Sequence, residues 1–190
     1  MRLRAVVLGI PGVGKTTVVE KAASSMKGGK LVNFGTVMLN EALKLKWIKH
    51  RDELRKLPVE KQKRLQRLAA LRISRMRGNV LLVDTHLFVR TSEGFWPGLP
   101  FEVARALKPT HLVLVEANSD DVIARRSRDT ARYRDFVTSE ELESELMLAR
   151  SFLTVASSVT GAPMLILRNE EGRVDEPVKH LIDMLREARA

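Results

Sequence analysis

Apolar positions along the chain fall into two alternating periods. Leu3 to Leu8 is a short apolar run that stops at Gly9, the pattern of a buried strand. Thr16 to Met26 has helical spacing and is stopped by Gly28-Gly29. Leu31 to Phe34 reads as a second strand closed by Gly35, and a helix is expected over Val37 to Ile48. After Pro58, a long amphipathic stretch places Leu65, Leu68, Ala69, Ile73 and Met76 on one helical face, until Gly78-Asn79 ends it. Val80 to Val83 predicts a third strand ending at Asp84, and Gly94 to Pro100 a Gly- and Pro-rich loop. A short helix over Phe101 to Leu107, a fourth strand over His111 to Ala117 and a helix over Asp120 to Arg128 follow, then a polar stretch to Asp135. Thr138 and Glu141 have the spacing of a capping box. The helix they open carries Leu142, Leu146, Ala149, Leu153 and Ala156 on one stripe. Met164 to Leu167 is a fifth strand, and Asp175 to Arg189 a last helix with Val178, Leu181, Ile182 and Leu185 inward.

Five apolar strands alternating with helices predict an α/β fold with a parallel sheet covered on both faces. The length of 190 residues suits one domain. A hydrophobic fraction of 44% and a charged fraction of 29% exclude wholesale disorder, collagen-like repeats and a disulfide scaffold. The chain has no cysteine, which removes thiol nucleophiles, Fe–S clusters and Cys-based zinc sites and fits a cytoplasmic setting. No signal peptide or membrane span is expected, because the apolar runs are too short.

The formal net charge of +10 is concentrated in one segment. Lys44 to Arg77 holds thirteen Lys or Arg against three acids, and the remaining residues balance. A basic segment suits nucleic acid, a membrane surface or a small anionic substrate.

Gly9-Ile10-Pro11-Gly12-Val13-Gly14-Lys15-Thr16 decides among these. It matches G-x-x-x-x-G-K-[ST] at each fixed position, between a predicted strand and a predicted helix. Glycines there let the backbone wrap phosphate oxygens, and successive N–H groups with the helix N-terminus face the anion. Lys15 is expected to reach the β- and γ-phosphates and Thr16 to ligate Mg²⁺. Asp84, an acid at the end of an apolar strand, is expected to orient the Mg²⁺ shell through water. His86 reads as a packed or solvated side chain. Arg125, Arg126, Arg128, Arg132 and Arg134 crowd one polar stretch, and arginine forks suit a transferring phosphoryl group. Arg51, Arg55, Arg90 and Arg150 are further candidates, each of which also fits a surface cation. Asn169 to Gly172 lies beyond the fifth strand, where ligands of open α/β sheets bind, and could border a nucleotide base.

Over essentially its whole length the chain resembles the archaeal type of adenylate kinase, a P-loop nucleoside monophosphate kinase. The residues that carry the resemblance are Gly9 to Thr17, Asn33-Phe34-Gly35-Thr36-Val37-Met38, Arg51 to Gln62, Asp84-Thr85-His86, Arg90-Thr91, Pro97-Gly98-Leu99-Pro100, Arg128-Asp129 and Asn169 to Gly172. The resemblance implies ATP + AMP ⇌ 2 ADP with Mg²⁺ and no zinc. It also implies a five-stranded core (1–35, 78–120, 137–190), a monophosphate-binding insertion near 36–77 and a short lid near 121–136. By the same resemblance Lys15, Arg125, Arg128, Arg132 and Arg150 act on the transferring group. Gly9 to Thr17 with Asn169 and Gly172 hold ATP, and Thr36, Arg55 and Arg90 hold AMP. A homotrimer is implied, and neither a membrane nor a nucleic acid is the expected partner. Two other functions fit parts of the pattern: another small-substrate P-loop kinase, and an adenylate-kinase-like RNA-binding ATPase of ribosome assembly.

Overall fold

Leu3–Leu8 forms β1, and all of its residues except Arg4 are buried. The computed structural model describes residues 2–91, 93–128 and 138–189, apart from the side chains at 55, 90 and 91. After β1 come α1 (Lys15–Ser25), β2 (Gly29–Asn33), α2 (Phe34–Lys44), a 3-10 turn (Arg51–Lys56), α3 (Val59–Ser74) and β3 (Val80–Asp84). Then follow β4 (Phe88–Thr91), β5 (Gly94–Pro97), α4 (Phe101–Leu107), β6 (His111–Glu116), α5 (Ser119–Arg128), α6 (Ser139–Thr160), β7 (Met164–Arg168) and α7 (Asp175–Glu187).

Among the described residues, five strands make a parallel sheet ordered β2-β3-β1-β6-β7. The connection leaving β1 runs outward to β2, and the one leaving β3 crosses back over β1 to β6. The strand order therefore reverses between β1 and β3, the place where open α/β sheets form a crevice beyond their carboxyl ends. Right-handed crossovers distribute the helices. α1 packs with α7, while α3, α4 and α6 pack in series on the other side. Leu65, Ala69, Ala70 and Ile73 are the buried stripe of α3, and Leu142, Ala149, Leu153 and Ala156 that of α6. The capping box at Thr138 and Glu141 is formed in full.

The segment between β2 and β3 has a small core of its own. Ala42, Ile48 and Leu65 are buried together, with Met38, Leu39, Trp47, Leu54 and Leu57 packed on them. No helix among the described residues is long and apolar enough to cross a membrane.

Three local expectations are corrected. Gly94 to Pro100 is not all loop, because Gly94–Pro97 is a strand paired antiparallel with Phe88–Thr91. Phe88 packs edge-to-face on Phe95 at 4.9 Å and tilted on Phe152 of α6 at 5.7 Å, which stabilises this hairpin, and these contacts leave no period in the local sequence. Phe34 does not end the second strand; it opens α2, because the Asn33 side chain accepts the Thr36 N–H at 3.0 Å and caps a helix at that point. The helix expected to reach Ile48 stops at Lys44. The Trp47 N–H closes back on the Ala42 carbonyl at 3.0 Å, and this turn folds Ile48 into the small core.

Candidate active site

β1 feeds directly into the glycine loop, and Gly14 is the N-cap of α1 at φ 79°, a left-handed conformation that a side chain strains. A Cβ there would also stand 2.2 Å from the Asn169 Nδ2 atom. Lys15 begins the helix but does not extend into water. Its ammonium is 6% exposed and ion-paired with the Asp84 carboxylate at the end of β3. Ladder register sets this meeting, since Val7 of β1 and Asn33 of β2 flank Asp84 on either side. The other Asp84 oxygen accepts from Asn33 Nδ2 at 3.0 Å, so one asparagine both caps α2 and orients the carboxylate. Burial pushes the Lys15 ammonium down to about 8. Thr16 and Thr17 are exposed on the first turn of α1, and Thr36 is exposed on the first turn of α2.

Side chains from three other elements bind the back of the loop. His86 Nδ1 lies 3.3 Å from the Gly9 carbonyl. Arg126 Nε donates to the Pro11 carbonyl at 3.0 Å. Asn169 Nδ2 and Arg125 Nη1 donate to the Val13 carbonyl at 2.8 and 3.3 Å. Arg125 also donates to the Asn169 carbonyl at 3.1 Å and to Glu171 at 2.9 Å, and Arg128 donates to Glu171 at 3.1 Å. Hydrogen bonds from Arg125 and then Arg128 hold the Glu171 carboxyl below the usual carboxylate range. Asn169 is buried, and its Oδ1 has no hydrogen-bond partner among the described residues.

Arg125 and Arg128 are therefore engaged with protein groups, and so is Arg150. Arg150 forks onto Glu116 with two bonds of 2.7 Å, and Glu116 is 3% exposed at the end of β6. Those bonds raise the Arg150 guanidinium above its ordinary value. This pair borders a cleft of about 480 Å³ with Asp120, Asp121, Arg168 and Glu170. Arg132 lies outside the described residues, and Arg55 and Arg90 are placed by backbone alone, in the 3-10 turn and in β4. Gly172 turns the 169–172 loop at φ 77°.

Sequence reasoning did not select Asn33, Glu116 or Glu145 as functional side chains. Glu116 carried the same signal as Asp84, an acid closing an apolar strand. Glu145 stands beside Leu142 and Ala149 at helical spacing, and is a buried carboxylate inside an apolar stripe.

Taken together, the site has a buried cation, a carboxylate and hydroxyl groups around a loop of backbone N–H donors. Such a set binds a polyphosphate with a hard cation and is suited to moving a phosphoryl group. A family model described as AAA domain matches residues 8–143. Adenylate kinase of Methanocaldococcus jannaschii is 41% identical over 186 residues, 95% of this chain and 97% of that protein. The adenylate kinases of Methanopyrus kandleri and Pyrococcus horikoshii are each 40% identical over 95% of the chain and cover 96% and 93% of those proteins. Among solved structures, shikimate kinase from Acinetobacter baumannii in complex with shikimate superposes with TM-score 0.65 at 13% identity, covering 99% of this chain and 95% of that one. Shikimate kinase from Bacteroides thetaiotaomicron gives 0.63 at 14% identity, covering 97% and 98%. At such identities the two structures speak to the fold alone.

Proposed function

The chain belongs to the adenylate kinase family within the AAA-domain P-loop proteins, and from that premise we propose that it transfers the γ-phosphoryl group of ATP to AMP, giving two ADP, at the loop of residues 9–16. The observation that carries this reading is the buried Lys15 ammonium, held at the mouth of the loop by Asp84. A cation kept dry and poised beside backbone donors is strong toward a polyphosphate, because the low dielectric magnifies its field.

The residues fit Mg²⁺. Thr16 offers a hydroxyl and Asp84 a carboxylate, both hard oxygen donors, and Mg²⁺ is usually bound through one or two such groups plus phosphates and water. Bound there, Mg²⁺ would neutralise charge on the polyphosphate. Lys15, paired with Asp84 in the free protein, would turn to the phosphate oxygens, and Asp84 with Thr16 would then be the residues that hold Mg²⁺. An AMP phosphate oxygen forms the new bond to the γ-phosphorus as the bond to the β-bridging oxygen breaks, and ADP leaves. No general base is required, because the attacking phosphate is already ionised.

In the same reading, residues 36–77 form the monophosphate-binding insertion and 121–136 the lid, whose closure excludes water. Thr36, Arg55 and Arg90 hold AMP, and Asn169 and Gly172 border the ATP base. Arg125, Arg128, Arg132 and Arg150 neutralise the transferring group, Arg150 after leaving Glu116. The small core around Ala42, Ile48 and Leu65 supports treating the outer part of the insertion as a unit, while Ala69, Ala70 and Ile73 join α3 to the main core. The cytoplasm is the compartment this reaction implies.

ADP formation from ATP with AMP, CMP, UMP and GMP as separate acceptors tests the function. Turnover with AMP far above the rest is expected, and equal or absent AMP turnover refutes it. Arg55→Ala is expected to raise the KM for AMP about tenfold, the loss of one charge-assisted bond, with ATP affinity unchanged. An unaltered AMP dependence removes Arg55 from the site. The family resemblance also supports a homotrimer, and exposed Met147 and Val155 on α6 with Met164 and Ile166 on β7 offer apolar surface for it. Light scattering is expected to read three copies, and a monomer mass rejects that assembly.

A further inference from the structure

The carbonyls tied from behind the phosphate loop belong to alternate residues, Gly9, Pro11 and Val13. Every peptide in the described chain is trans, so each C=O points opposite the N–H of the next residue. Drawing the Pro11 carbonyl toward α5 therefore turns the Gly12 N–H away from α5, into the concave side of the loop. Drawing the Val13 carbonyl toward Asn169 and Arg125 does the same for the Gly14 N–H. Pro11 has no N–H of its own, so its contribution to an anion site lies in how its carbonyl is held.

Arg126 is the donor that holds it. Its guanidinium is 13% exposed and ion-paired at 3.4 Å with Glu145 of α6, itself 7% exposed. One planar fork thus spans a loop carbonyl and a buried carboxylate, with each donor direction fixed by the other. α6 is anchored in the core by Leu142, Ala149 and Leu153, so Glu145 is a rigid post. The Val13 carbonyl has two donors, whereas Arg126 makes the one bond found to the Pro11 carbonyl among the described residues.

We propose that Arg126, held by Glu145, is a positioning residue of the phosphate loop. It sets the Pro11–Gly12 peptide so that the Gly12 N–H meets the polyphosphate, and it acts on ATP without touching it. This deepens the reading of the loop as the ATP site and rests on it.

ATP titrations of Arg126→Met, Arg126→Lys and Glu145→Gln followed by amide NMR, with parallel steady-state kinetics, test it. In the wild type, ATP is expected to shift the Gly12 and Gly14 amide resonances. In Arg126→Met the Gly12 response shrinks and the Gly14 response stays. The Kd and KM for ATP rise about tenfold, the loss of one charge-assisted bond, while the KM for AMP holds. Arg126→Lys recovers part of the loss, because an ammonium can reach the carbonyl but cannot fork to Glu145. A wild-type ATP Kd with an intact Gly12 response in Arg126→Met overturns the proposal, as does a parallel rise in both KM values or equal behaviour of the Met and Lys variants. If Arg126→Met does not fold, Arg126→Lys and Glu145→Gln decide by the same Gly12 response and ATP affinity. The binding readouts need no turnover, so a wild-type protein that binds ATP but fails to phosphorylate AMP refutes the proposed function separately.

Discussion

Lys15→Ala is expected to lose phosphoryl transfer by about a hundred- to a thousandfold, the cost of removing one preorganised charge from a developing anion. AMP affinity should be close to that of the wild type, because AMP is assigned to other residues. The substitution also strands Asp84, which is buried and retains Asn33 as a hydrogen-bond donor. Breaking a buried pair from one side costs about 3–5 kcal/mol, so the single variant is compared with Lys15→Met/Asp84→Asn, which leaves no orphan charge. Thermal midpoints should differ between the two variants while both stay inactive, which separates chemistry from folding. The pH dependence follows from the same geometry. Burial lowers the Lys15 ammonium to about 8, so in the free protein it sheds its proton as pH rises through that value. Then kcat/KM for ATP, which reports the free enzyme, declines above about pH 8. The decline in kcat lies at higher pH, because bound phosphates favour the charged form. Purified Lys15→Ala with wild-type turnover ends the proposed role, and a flat kcat/KM profile across that range ends the titration argument.

What the sequence revealed and what it concealed divide along physical lines. The strand-loop-helix unit around Lys15, the end of the third strand at Asp84 and the capping box at Thr138 were all legible, because each depends on residues within a few positions of one another. The parallel five-stranded core was legible for the same reason: buried strands are apolar throughout, and Val80–Asp84 is buried along its full length. Partner choice was not. Five arginines between 125 and 134 announced a concentration of charge. That Arg125 and Arg126 face loop carbonyls depends on how α5 meets residues 11–13, a contact spanning more than a hundred residues of chain. Arg150 was expected at the transferring group; in this structure it is forked onto Glu116 at the end of β6, a pairing of residues 34 positions apart. The charge of Lys44 to Arg77 was expected to exceed what one monophosphate requires. Lys44, Lys63 and Arg67 pair with Glu41, Glu60 and Glu102, while Lys61 and Arg64 lie over the Trp47 ring. These exposed contacts add little stability each, and a surplus of positive charge of this kind favours anionic ligands in general.

Gly98→Ala is expected to be strongly destabilising, and it links the hairpin to the site. Gly98 donates its N–H to the Leu87 carbonyl at 2.7 Å, which brings the two backbones together at the base of β4 and β5. A Cβ there would stand 2.3 Å from the His86 carbonyl oxygen and 3.0 Å from its carbon. Both are backbone atoms, so no side chain can swing away to relieve the contact. Leu87 and Leu99 on either side are buried, so neither segment slides freely. Overpacking of this kind costs about 1–3 kcal/mol, and a clash with main chain belongs near the upper end. For a chain of this size about 3 kcal/mol lowers the thermal midpoint by roughly 6–12 °C. His86 follows Thr85, whose N–H bonds the Val7 carbonyl at 3.1 Å, and the His86 ring meets the Gly9 carbonyl. Moving the 86–87 backbone therefore disturbs the loop from behind, and the KM for ATP should rise along with the loss of stability. Gly78→Ala is the control, because its Cβ would meet only ordinary contacts of 3.5 Å and beyond, and its effect should lie within about 1 kcal/mol of neutral. A Gly98→Ala protein that melts with the wild type and binds ATP equally well would show that the hairpin base has room the packing denies it.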